Sequence, residues 1–133
     1  LNTPLGSQLS RQLKAGSDVR LVNSPSEAQA ILYILGERRS RNVVAYNAYG
    51  DAREYELKLE VSSRLAAPDG ALYLPDTVIP AVREISYNEE DYLTRDAEEA
   101  LVINEMLSDI VVQMVRRIEK AQPPKQPEDL TTR

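Results

Sequence analysis

The densest concentration of one chemistry in this sequence is basic, with Arg38, Arg39 and Arg41 almost adjacent. Guanidinium groups present planar forks of donors that match phosphate and carboxylate oxygens, so such a strip suits an anionic group. In an extended backbone, side chains alternate between faces, which puts Arg39 and Arg41 on one side. The same residues serve equally well as solvated charges that keep a sheet edge from pairing with other chains. The densest acidic stretch is Glu89, Glu90 and Asp91, followed by Asp96, Glu98 and Glu99. Paired carboxylates can do acid–base work or hold a divalent cation, but acids at a helix start are read more simply as complements to the positive end of its dipole. Tyrosine supplies all seven aromatic side chains. Tyr46 and Tyr49 fall at an expected hairpin tip and suit a partner interface, because tyrosine offers contact area with few rotors.

Two absences narrow the chemistry. Without cysteine there are no disulfides, thiolate nucleophiles or cysteine-bound metals. Without histidine, the usual general base near neutral pH and the commonest metal ligand are both missing. Ser24, Ser62 and Ser63 then have only a lysine to activate them. The reading is a binding protein and not an enzyme, with no cofactor and no metal. The formal net charge of −5 disfavours nucleic acid or an anionic membrane surface as the overall partner. No apolar run approaches the roughly 20 residues needed to cross a bilayer, and no charged-then-apolar leader is present.

The elements that must position these residues follow from periodicity. Thr3-Pro4 suits a helix start; Leu5, Leu9 and Leu13 then recur at spacing four, and Gly16 ends the pattern. Residues 18–22 suit a brief strand, and Asn23-Ser24-Pro25-Ser26 breaks the chain before one helical turn at 26–28. From Ala30 the apolar run Ile31–Leu35 suits a strand covered on both faces. Gly36 permits a bulge, and the strand continues, bent and wet in its middle, to about Tyr46. After the turn cluster 47–51, Tyr55, Leu57, Leu59, Val61 and Leu65 alternate with Glu54, Glu56, Lys58, Glu60, Ser62 and Arg64, so one face is buried and the other wet. Pro68-Asp69-Gly70 closes a second hairpin. Leu72–Leu74 and Val78–Tyr87 return as a third strand, placed at an edge or bulged by Pro75 and Pro80. From Asp91 to about Ala121 the period becomes helical, with Ala97, Ala100, Leu101, Ile103, Met106, Leu107, Ile110, Val111, Met114 and Ile118 in one stripe. The fold class is therefore α+β: two helices packed on one face of a mainly antiparallel sheet of three to four strands. Residues 1–121 form one domain, and 122–133 form a flexible, proline-rich polar tail.

Four segments then stand in a telling order. They are Glu54-Tyr55-Glu56-Leu57-Lys58-Leu59-Glu60-Val61, Arg83-Glu84-Ile85-Ser86-Tyr87-Asn88, Leu93-Thr94-Arg95-Asp96-Ala97-Glu98-Glu99 and Asn104-Glu105-Met106. In this order and spacing the chain resembles the LPS-assembly lipoprotein (LptE) family, over about residues 1–121. The resemblance implies a non-catalytic lipoprotein domain on the periplasmic side of the cell outer membrane, anchored through an N-terminal lipidated cysteine that this sequence lacks. It also implies an additional first strand, a β-barrel LPS translocon subunit (LptD-like) as the partner that the domain plugs and helps assemble, and contact with lipopolysaccharide (LPS). The family's basic residue ahead of the acidic start of the second helix matches Arg95. Its second basic residue, at the first hairpin tip, is replaced by Ala48, with Arg53 nearby. Arg38, Arg39 and Arg41 enter as candidate LPS contacts on physical grounds alone. The competing reading is a periplasmic interaction or lipid-carrier module with a different partner.

Overall fold

A computed structural model describes residues 3–16, 19–22, 24–86 and 92–122, with only the backbone of 16 and 92–95. Helix α1 spans Pro4–Gly16, strands β1, β2 and β3 span Ile31–Tyr46, Ala52–Ala66 and Leu72–Ser86, and helix α2 spans Tyr92–Lys120. A single 3₁₀ turn covers Pro25–Glu27. The three strands form one antiparallel sheet in the order β1-β2-β3. The expected fold class is observed, with three strands.

Local chemistry accounts for the ends of these elements. The Thr3 hydroxyl accepts a hydrogen bond from the Gly6 amide at 3.1 Å, satisfying one of the free donors at the start of α1. Both hairpins use the same device. In the first, the Asn47 side-chain oxygen accepts from the Tyr49 and Asp51 amides at 2.9 and 3.0 Å, while the Asn47 amide donates to the Asp51 carbonyl. In the second, the Asp69 carboxylate accepts from the Ala71 amide at 3.0 Å. Each turn needs one left-handed residue, supplied by Gly50 (φ 84°) and Gly70 (φ 96°).

Strand alternation sets the core. Leu65 of β2 is buried apart from the main cluster, whereas Tyr55, Leu57, Leu59 and Val61 of β2 and Ile79, Ala81 and Ile85 of β3 are buried together on one side of the sheet. Ile103, Met106, Leu107, Ile110, Val111, Met114 and Val115 of α2 close over them with Leu5, Leu9 and Leu13 of α1, and each large side chain so buried contributes about 1.5–3 kcal/mol. The other side carries Glu56, Lys58, Glu60, Ser62 and Arg64, all only partly covered.

Several expectations need correction. Residues 19–22 form no strand, and Asp18 lies outside the described residues. The Ile31–Leu35 run is not covered on both faces: β1 is an edge strand, and Tyr33, Ile34 and Leu35 are exposed. The third strand, by contrast, lies at an edge as expected: it runs unbroken through Pro75 and Pro80, with a shift of register beside Pro75. Within the α2 stripe, Ala97, Ala100 and Leu101 are exposed, Leu101 at 66%, and Ile118 is half-buried. The first turns of α2 stand clear of the core, and its buried side begins at Ile103.

A basic flank and an aromatic tip as the candidate functional site

Register decides where the arginines of β1 go. Glu37, Arg39, Arg41 and Val43 pair with Val61, Leu59, Leu57 and Tyr55, so all four share the helix side of the sheet. Arg38 pairs with Glu60 and occupies the opposite, open side. The shared parity of Arg39 and Arg41 holds, and Arg38 is divided from them.

On the helix side, cover stops at β2. Leu57 and Leu59 are buried, whereas Arg41 and Arg39, directly beside them on β1, are exposed. The result is a flank with an apolar floor and two guanidinium groups along its outer rim. Arg41 lies over the ring of Tyr55, 5.0 Å from its centroid, a cation–π arrangement. Its Nη1 donates to Glu99 Oε2 of α2 at 3.2 Å. Arg95 is one helical turn before Glu99, so the backbone brings this residue of α2 to the stretch of helix that meets β1.

The acidic stretch divides at the start of α2. No acid lies in the first turn of α2; Asp96, Glu98 and Glu99 come after it, and Glu89, Glu90 and Asp91 lie outside the described residues. Glu99 is paired with Arg41, and among the described residues no three acidic side chains converge on a metal-sized site. The flank can grip an anion.

The β1–β2 tip gathers a second set of residues. Tyr46 and Tyr49 are exposed, Tyr49 at 86%, with Val43 and Val44 exposed beside them. Val44 is the extra residue of a bulge between Val43 and Ala45, and Arg53 is the extra residue of a bulge between Ala52 and Glu54. Arg53 is exposed at the start of β2. The structure thus groups Arg39 and Arg41 with the α2 turn after Arg95, puts Tyr46, Tyr49 and Arg53 at the tip, and sets Arg38 apart.

Sequence reasoning missed two further ion pairs. Arg83 of β3 pairs with Asp109 of α2 on the helix side. On the open side Arg64 holds Asp76 through two bonds of 2.5 and 2.9 Å. Hydrogen bonding from Arg64 holds the Asp76 carboxyl below its usual range, and the same bond raises Arg64. Both pairs need the strand register to be visible, and no local motif announces them.

Comparison with known proteins gives a consistent answer. No curated protein matches the chain. Solved structures share the fold, three of them as follows. A solution NMR structure of an uncharacterized lipoprotein B from Nitrosomonas europaea has TM-score 0.77 and 25% identity, covering 89% of this chain and 76% of that one. A crystal structure of the rare lipoprotein B from Shewanella oneidensis has TM-score 0.75 and 19% identity, covering 88% and 86%. A minor lipoprotein from Acinetobacter baumannii has TM-score 0.73 and 22% identity, covering 95% and 90%. The family model described as LptE, Lipopolysaccharide-assembly, matches residues 1–118, and the chain belongs to this family.

Proposed function

We propose that this domain contacts LPS through its phosphate groups and serves, without catalysis, as the partner of an outer-membrane β-barrel that exports LPS. It acts on the periplasmic side of the outer membrane. Family membership supports a role in LPS assembly. The observation that carries the binding half is the flank itself: Arg39 and Arg41 exposed above a buried apolar floor, beside the α2 turn that follows Arg95. A guanidinium held against an apolar surface is screened less than one in open water, which favours a charged ligand there. The barrel half is supported by the tip, where two exposed tyrosines stand on a turn braced by Asn47. Glu56, Lys58 and Glu60 on the open face also suit the polar lumen of a barrel.

The test is LPS capture by the purified domain. Arg95→Glu weakens capture and leaves the thermal melt nearly unchanged; undiminished capture removes Arg95 from the site. Affinity purification from intact envelopes tests the barrel half, which fails if no outer-membrane barrel is recovered.

A further inference from the structure

We infer that Glu99 occupies the position on Arg41 that an LPS phosphate takes, making this carboxylate a built-in competitor of the ligand. The inference rests on the LPS reading above and concerns how that site is regulated.

Three features of the Arg41–Glu99 pair set it apart. First, the guanidinium is oriented before any ligand arrives, because it lies over the Tyr55 ring. Second, Glu99 engages it through one nitrogen, Nη1, at 3.2 Å. A guanidinium offers five donors in a fork suited to two oxygens at once, so a single contact leaves most of that capacity unused. Third, the Arg41 side chain is 47% exposed and that of Glu99 21%, so the cation faces solvent while its partner is held back against the protein. Arg39 follows on the same side, its Cα roughly 7 Å away at strand spacing. A phosphate, with more oxygens and more charge than a carboxylate, can bridge both guanidinium groups, whereas Glu99 is bonded to Arg41.

The other two arginine–carboxylate pairs lack this arrangement. Arg64 already uses two nitrogens on Asp76, and Arg83 has no arginine two residues away on β3. Among the described residues, only the β1 pair combines a guanidinium bonded to its carboxylate through one nitrogen with a second guanidinium along the same side. Glu37, also on that side, adds a negative charge that a ligand must overcome.

The measurement is LPS affinity of the full chain as wild type, Glu99→Gln, Arg41→Ala and the double variant, with thermal melts to show that each is folded. Glutamine preserves shape and helix propensity while removing the charge. Glu99→Gln tightens binding about two- to five-fold, the range an exposed ion pair spans. Arg41→Ala weakens binding, and adding Glu99→Gln to Arg41→Ala produces no further gain. The gain disappears for LPS stripped of its lipid A phosphates. The inference is overturned if Glu99→Gln leaves affinity unchanged or lowers it, as it would if Glu99 served to hold Arg41 in place. It is equally overturned if the gain persists without phosphates or without Arg41. A wild-type chain that captures no LPS takes down the functional proposal as well; one that captures LPS with Glu99→Gln silent sinks this inference alone.

Discussion

Arg41 of β1 and Arg83 of β3 stand in one row on either side of Leu57, and each reaches a different turn of α2, at Glu99 and Asp109. Glu99 and Asp109 are ten residues (109 − 99) apart, about 15 Å along a helix axis. The two outer strands are about 10 Å apart. The helix therefore crosses the row obliquely and is braced on both flanks, while the apolar contacts beneath it supply the stability.

That division of labour is measurable. Arg83→Ala is expected to cost no more than about 1 kcal/mol, because both members of the pair are well exposed. Ile110→Ala, at a fully buried position of α2, is expected to cost about 2–5 kcal/mol. Urea unfolding of the two variants checks the contrast, and a loss at Arg83 as large as that at Ile110 would contradict it.

Asp76 gives a pH dependence with a definite sign. Its carboxyl is held below the usual range by Arg64, so in the folded state it gives up its proton more readily than in the unfolded chain. The stabilisation is complete above the unfolded value and is lost as pH falls through the lower folded value. Arg64 is raised instead, and its share is lost only on the far alkaline side. Melting curves of wild type and Asp76→Asn should differ at neutral pH and converge in strong acid. A gap that stays constant down to the lowest pH would remove the pair as its cause.

Glycines at turns and strands should answer differently to one methyl group. Gly50 has φ 84°, and alanine there is expected to cost about 1 kcal/mol from backbone strain, since nothing lies within 4 Å of the added carbon. Gly36, beside the β1 bulge, has the same open space without positive φ, so Gly36→Ala is expected to be nearly neutral or slightly stabilising. Thermal melts of the two variants side by side make the comparison.

Tyr49 tests the tip. Tyr49→Ala is expected to leave the melt within about 0.5 kcal/mol of wild type, as for exposed positions generally. If the tip meets a protein partner, the same change should reduce recovery of the barrel from envelopes by several-fold. Recovery equal to wild type would place the interface elsewhere.

The elements with a clean period are legible in the sequence. The β2 alternation and the α2 repeat assign Leu57, Val61, Met106 and Ile110 to the core on pattern alone, because burying one face leaves a period behind. The Gly36 bulge is legible as well, from a glycine inside an otherwise strand-like run. The exposure of Tyr33, Ile34 and Leu35 is not, since an apolar run reads the same whether its strand is central or at an edge. Nor is the pairing of Glu99 with Arg41, which depends on how far α2 leans toward β1. Parity assigns Arg39 and Arg41 a common side, but only the register shows that the helices stop short of it.

The sheet is a meander in which every strand pairs with its neighbour in sequence, yet the helix that seals its apolar side is the last described element. The hairpins can close through local contacts, while Leu57, Leu59, Val61 and Ile79 stay without their α2 cover until that helix docks. A chain truncated before residue 103 is thus a sticky one. Cellular factors that shield exposed apolar surface would meet this protein in that interval, after the third strand has formed and before the second helix has docked.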